Sequence, residues 1–142
     1  MYVVAGARTV APARPLPQGP LVTTVDQTLT SALTIDGAMA VALVDYESGM
    51  SLGQAGSGLD LDIAAAGNTD VVRAKIRTMQ HLGLSGRIED MLITLDTQIH
   101  IIRLLQSQSG TGLFLYLVLD KSRSNLAMAR RQLLNLERDL EI

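Results

Sequence analysis

A cluster of glycines is the first feature of this sequence that could support chemistry. Gly53, Gly56 and Gly58 lie close together, and glycine-rich loops cradle phosphate groups in nucleotide-binding proteins. Such loops continue into Gly-Lys-Ser/Thr, whereas this segment contains no lysine, and its glycine spacing does not fit a dinucleotide-binding loop either. We therefore interpret the stretch from Gly53 to Gly58 as a flexible connection.

Residues that could bind a metal or transfer protons are few. His81 and His100 fall on different predicted elements, without the spacing of a zinc site. Glu89 and Asp90 are adjacent on a predicted strand, where neighbouring side chains point to opposite faces. The chain has no cysteine. Its Gly-x-Ser-x-Gly run, Gly49–Gly53, falls on a predicted hairpin and not on the strand-to-helix turn that exposes a catalytic serine. The sequence thus predicts no enzyme activity, no catalytic or metal-binding residue and no cofactor.

Composition sets broader limits. The chain has 142 residues, of which 47% are hydrophobic, so it should form one folded domain with a real core. A net charge of −2 without a basic cluster, together with 3% aromatic residues, argues against nucleic acid as a partner. No apolar run approaches the roughly 18 residues that cross a bilayer, so direct membrane insertion is not expected. The lack of cysteine is typical of a cytoplasmic protein.

The N-terminal segment differs from the rest of the chain. Four prolines, at positions 12, 15, 17 and 20, would interrupt any helix or central strand. We predict a flexible, proline-containing leader over residues 1–23 and a folded domain over residues 24–142. The alternative to a disordered leader is that Tyr2, Val3 and Val4 dock on a surface that the sequence does not identify.

Periodicity and turn signals from Thr24 onward predict an α+β fold. The hairpin connections are too short for parallel crossovers, so the five strands should be largely antiparallel. The predicted elements are a first helix capped by Thr24, strands Ala38–Asp45 and Met50–Ala55, a middle helix from Asp60 or Asp62 to Leu82, strands Ile88–Leu95, Gln98–Leu104 and Leu113–Leu119, and a last helix capped by Ser124.

The strands indicate how the elements are layered. Val41–Val44 and Leu113–Leu119 are apolar on both alternating faces, so both faces of the sheet should be covered. The last helix has a continuous apolar face that includes Leu126, Ala129 and Leu133. We predict a three-layer sandwich with the first and last helices on one face and the middle helix on the other.

The middle helix has two apolar stripes, separated by about 100–140° around the helix axis at roughly 100° per residue. One is suited to lie on the sheet, and the other consists of small side chains to which no other helix of the chain is free to pack. The stripes are Val72, Ile76, Met79 and Leu82, and Ala64, Gly67, Val71 and Ala74. A symmetry-related helix could cover the second stripe. The alternative is a partly exposed surface, which the charged Lys75 at its edge favours.

These patterns define two candidate sites. The charged residues of the middle helix, Asp70, Arg73 and Arg77, form either a solvated face or a rim that steers a partner. Continuation of one strand into the sheet of a second copy would remove an exposed edge. The predicted dimer interface comprises Ala64, Gly67, Val71, Ala74, Lys75, Ile88, Met91 and Ile93.

An ordered set of segments from about Thr24 to Ile142 resembles the Roadblock/dynein light-chain domains, especially a bacterial branch. The segments are Ile35–Ala38, Val41–Asp45, Ser48–Met50, Ile88–Leu95, His100–Arg103, Leu113–Tyr116 and Asn125–Arg130. The resemblance implies a profilin-like fold, a homodimer or heterodimer built on the middle helix and third strand, and no active site. It also implies one of three roles: a scaffold for a small Ras-like GTPase, a GTPase-activating partner, or an adaptor on motors and membranes.

Two positions depart from that family, namely the polar run Gly67-Asn68-Thr69 and Leu104, where related sequences often carry proline. The leading hypothesis is a non-catalytic, homodimeric scaffold that binds or regulates a small GTPase. The alternatives are a PAS-like sensory domain, which would need a ligand pocket between helix and sheet, and a small hydrolase, for which the sequence offers no nucleophile.

Overall fold

The structure is a computed structural model that describes residues 24–140, so the predicted leader lies outside the described residues. Its helices and strands follow the predicted order α-β-β-α-β-β-β-α. Single turns of 3-10 helix lie at Gln108–Gly110 and Lys121–Arg123. The elements are α1 Val25–Ala32, β1 Ala38–Asp45, β2 Met50–Gly56, α2 Leu61–His81, β3 Asp90–Thr94, β4 Gln98–Leu104, β5 Leu113–Asp120 and α3 Leu126–Asp139.

Side-chain caps fix where the helices begin. The Thr24 hydroxyl accepts from the Gln27 amide while the Gln27 side chain accepts from the Thr24 amide, which is a complete capping box. At α2 the Asp60 carboxylate accepts from two backbone amides of the first turn. The prediction of Ser124 as the α3 cap is wrong by one residue, because the neighbouring Asn125 side chain accepts from the Met128 amide.

The five strands form one antiparallel sheet in the order β2-β1-β5-β4-β3. The apolar strands β1 and β5 lie at its centre, and β2 and β3 form its edges. The third strand is shorter than predicted, since Ile88 and Leu95 fall outside Asp90–Thr94. An edge strand has a pairing partner on one side only, so its ends separate from the sheet sooner than those of a central strand.

Each face of the sheet carries its own core, which confirms the three-layer arrangement. On one side α1 and α3 pack over a cluster that includes Leu43, Ile101 and Leu117. On the other side α2 packs over a cluster that includes Phe114 and Tyr116. Within residues 24–140, no helix is both long and apolar enough to cross a membrane.

The interpretation of Gly53–Gly58 as a flexible connection is wrong for its first half, because Gly53 and Gly56 are residues of β2. A methyl group added to Gly53 would come within 2.8 Å of Leu29 Cδ1, so α1 packs directly on this strand. A methyl group added to Gly56, whose φ is +90°, would overlap the Met39 carbonyl oxygen. Close packing accounts for these two glycines.

A candidate interface on the middle helix

Helix α2 rests on the sheet through one row of side chains. Leu61, Ala65 and Val72 are buried there, and Ile76 and Met79 are half-buried. Leu82 does not continue the row as predicted: it is 65% exposed. The helix ends at His81, and Gly83 adopts a φ of +70°, so the chain turns away before position 82 reaches the sheet.

The predicted small-residue stripe lies on one flank of α2, and nearly all of it is open. Ala64 is half-buried against the core, whereas Gly67, Val71, Ala74 and Lys75 are exposed. A methyl group added to Gly67 would have no atom within 4 Å. Val71, in the middle of this flank, exposes 40% of its surface.

The neighbours of α2 show which strand this flank adjoins. The opposite flank faces β2, because Ala66 and Thr69 lie beside Gly49 in the β1–β2 turn and Asp62 accepts a hydrogen bond from Gln54. The small-residue flank therefore points toward the other edge of the sheet, where β3 lies.

Strand β3 and the segment just before it place their predicted interface residues on that same face. Ile88, Met91 and Ile93 are half-buried and pack against the core beneath α2. Within the described chain β3 pairs with β4 only, so its outer edge has no strand partner. The structure thus places the helix set and the strand set of predicted residues on the same face of the sheet, and we name them together the α2–β3 surface.

A chain of polar side chains, not foreseen as a unit in the sequence, lies under this surface. The Tyr116 hydroxyl is 2.9 Å from His100 Nδ1, and His100 Nε2 is 2.8 Å from Gln98 Oε1. Burial lowers the pKa of His100. Burial raises the pKa of Tyr116, and a hydrogen bond from the Asn68 side chain partly offsets that rise. Asn68 thus has a structural role, since it ties α2 to the sheet.

The predicted charged residues of α2 are also exposed. Arg73 and Arg77 lie on the flank opposite the small residues and line a groove with Tyr46, at the turn after β1. Neither arginine forms an ion pair with any described residue. Asp70 is exposed one turn earlier on the helix, so all three side chains are accessible to a partner.

A cavity of about 220 Å³ lies at the C-terminal end of α2, next to that groove. The interface between the centre of α2 and the sheet is filled, with Val72 and Phe114 fully buried. A PAS-like ligand site would need space at that centre, and the cavity lies instead where the helix ends. The groove and the cavity share the side chains of Tyr46, Ile76 and Gln80.

Acidic residues on the opposite face serve the structure. The prediction that Glu89 and Asp90 point to opposite faces is wrong: Asp90 binds Arg130 of α3, and Glu89 lines a surface cavity on the same side. Strand alternation does not apply to this pair, because β3 begins only at Asp90. Among residues 24–140, no three acidic or histidine side chains group closely enough to hold a metal ion.

Sequence reasoning missed a buried ion pair between β4 and α3. Glu137 Oε1 accepts from Arg103 Nε at 2.8 Å, and both side chains are buried. The second carboxylate oxygen accepts from the backbone amides of Gln106 and Ser107. Glu137 follows Leu133 by one helical turn and so lies on the buried face of α3. A carboxylate on that face was the signal in the sequence that could have indicated a buried ion pair.

Comparison with known proteins identifies the fold. No family model matches the sequence, and no curated protein matches it. A Roadblock/LC7 domain from Streptomyces avermitilis superposes with a TM-score of 0.69 at 14% identity, covering 82% of this chain and 93% of that chain. MglB of Myxococcus xanthus superposes with a TM-score of 0.68 at 16% identity, covering 80% of this chain and 88% of that chain.

MglC of Myxococcus xanthus matches with a TM-score of 0.52 at 19% identity, covering 80% of this chain and 92% of that chain. The matches span nearly all of each solved domain, and they agree with the strand order and helix placement described above. This protein therefore has the Roadblock/LC7 fold.

Proposed function

We propose that this protein is a non-catalytic, homodimeric scaffold that binds and regulates a small Ras-like GTPase. The observation that carries the proposal is the α2–β3 surface, where an exposed flank of small side chains shares one face with a sheet edge that has no strand partner among residues 24–140. A folded monomer would leave both features in water, whereas a second copy related by a two-fold axis would cover both.

Small side chains define how the two copies would meet. Gly67 and Ala74 have little or no side chain beyond the helix backbone, so two α2 helices can approach closely along this flank. Val71 lies between them and would be buried at the centre. Lys75, at the margin, can extend its apolar stem over the partner helix and keep its ammonium group in water. Met91 and Ile93 extend the same apolar surface onto β3.

The proposal that the partner is a GTPase rests on the fold and on the sequence resemblance to bacterial Roadblock domains. One of the matched structures is a gliding protein, MglB, from Thermus thermophilus, and another is MglB with a tetrameric arrangement. On this chain, Asp70, Arg73 and Arg77 offer accessible charges on the flank that self-association leaves free. We assign the partner contact to them because charged rims speed and orient encounters between proteins.

Light scattering after size exclusion tests the dimer. We expect a mass of twice 15.2 kDa. Val71→Asp and Ala74→Arg should each give monomers, because burial of an unpaired charge costs several kcal/mol. At about 1.4 kcal/mol per tenfold change in affinity, dissociation constants should rise by roughly a hundredfold or more.

Ala66→Arg is the matched control, since Ala66 is an exposed alanine on the opposite flank of the same helix. This variant should remain dimeric with unchanged circular dichroism. A monomeric wild-type protein, or a dimer that tolerates both interface variants, would refute the proposed interface.

Measurement of GTP turnover tests whether the partner is a GTPase. A Ras-like GTPase that binds this protein should hydrolyse GTP at a different rate when the wild-type dimer is added. The change in rate should be smaller with Arg73→Glu or Arg77→Glu. Arg131→Glu, at an exposed arginine of α3, is the control and should behave as wild type. Turnover that is identical with and without wild-type protein, for a GTPase that it binds, would limit the role to recruitment.

A further inference from the structure

We infer that the C-terminal end of α2 forms a docking cleft for an acidic, extended peptide segment of a partner protein, anchored by one bulky apolar side chain. The cleft, which we name the α2-end cleft, combines the cavity and the adjoining groove. It lies away from the small-residue flank and shares only Ile88 with the predicted dimer interface, so the inference goes beyond self-association. Arg73 and Arg77 are the arginines assigned above to the partner contact, but the inference does not depend on that partner being a GTPase.

The interior of the α2-end cleft is apolar and rigid on one side. Ile76, Met79, Leu84 and Ile88 line the cavity, and Leu84 leaves 55% of its surface exposed. The Tyr46 ring stacks on the buried Phe114 at a centroid distance of 6.3 Å, which fixes one wall. A ligand that covers exposed apolar surface inside a concave site gains binding free energy.

The size of the cavity suits one large side chain. An apolar cavity of about 150 Å³ is enough to hold a benzene molecule in another protein, and this cavity measures about 220 Å³. A leucine, methionine or phenylalanine side chain would fit. The groove between α2 and the turn at Tyr46 continues from the cavity and gives the flanking backbone of a peptide a path along the surface.

The charge around the cleft specifies the rest of the ligand. Arg73, Arg77 and Arg87 all line the cavity or the groove, and none of them forms an ion pair within residues 24–140. Arg87 only donates to the Gln106 carbonyl at 3.3 Å. One acidic side chain, Glu47, lines the same groove, so the lining has an excess of positive charge. Guanidinium groups pair well with carboxylates through two parallel hydrogen bonds.

A displayed random peptide library provides the test. Selection on wild-type protein should enrich sequences in which a bulky apolar residue is flanked by aspartate or glutamate. A fluorescein-labelled copy of the most enriched peptide should bind in fluorescence anisotropy, and its affinity should fall as NaCl is raised. Arg77→Glu should weaken binding by roughly tenfold or more through repulsion of the flanking acids.

Leu84→Asp tests the apolar anchor and should weaken binding by a similar factor, because it places a charge in the cavity wall. Arg131→Glu and Met128→Asp are matched exposed controls on α3 and should change the affinity less than about twofold. All four variants should keep the association state of wild type, which separates this test from that of the dimer. A library without acidic enrichment, or a peptide that binds Arg77→Glu and Leu84→Asp as tightly as wild type, would overturn the inference.

Discussion

Replacement of Glu137 by glutamine is expected to destabilise the fold strongly. Glu137 is 6% exposed, and its carboxylate neutralises Arg103, which is 7% exposed. Glu137→Gln keeps the shape of the side chain but removes its charge. It also sets an NH2 group against the amides of Gln106 and Ser107, or turns that group toward Arg103, so at least one donor faces another donor.

The size of the effect follows from burial. Loss of one partner of a buried ion pair costs about 3–5 kcal/mol, because the other charge is left without compensation. That is a large part of the roughly 5–15 kcal/mol that stabilises a typical domain. For a chain of this size each kcal/mol corresponds to a few degrees, so the melting temperature should fall by roughly 10–20 °C.

Thermal and urea unfolding followed by circular dichroism measure the change. Glu89→Gln is the matched control, since Glu89 is exposed beside the same surface cavity, and its effect should stay below about 0.5 kcal/mol. Replacement of both partners by apolar residues, Arg103→Met with Glu137→Leu, should cost less than Glu137→Gln alone. A Glu137→Gln protein within about 1 kcal/mol of wild type would show that the pair is not buried as described.

Three further predictions concern stability. Burial lowers the pKa of His100 in the folded state, so the unfolded state takes up a proton more readily. The free energy of unfolding should therefore be highest above the ordinary histidine pKa of 6.5 and should fall as the pH drops below it. Melting temperatures between pH 8 and pH 5 check this; His100→Gln should flatten the decline, and the exposed His81→Gln should not. Gly56→Ala should lower the urea midpoint markedly, since its methyl group meets the Met39 carbonyl at a positive φ. Asn125→Ala should cost about 1 kcal/mol in urea unfolding by loss of the α3 cap.

Local sequence signals determined the elements and their order. Alternation and helical spacing depend on neighbours within a few residues, so the bounds of β1 and β4 and the Thr24 cap could be read directly. The sequence left Asp60 and Asp62 as alternative caps of α2, and the structure selects Asp60. The strands that are apolar on both faces also required a helix layer on each side of the sheet, and that arrangement is confirmed. The residues of the α2–β3 surface could be proposed because helical projection separates the two flanks of α2.

Tertiary structure decided what local patterns do not encode. Gly53 and Gly56 look like linker residues until α1 and β1 are seen packed against their backbones. The Arg103–Glu137 pair joins residues 34 positions apart, and the Asn68–Tyr116–His100 chain joins a helix to two strands. Such contacts depend on where separate elements meet in space. The sequence by itself determined the layers of this protein, and three-dimensional packing decided which polar side chains hold those layers together.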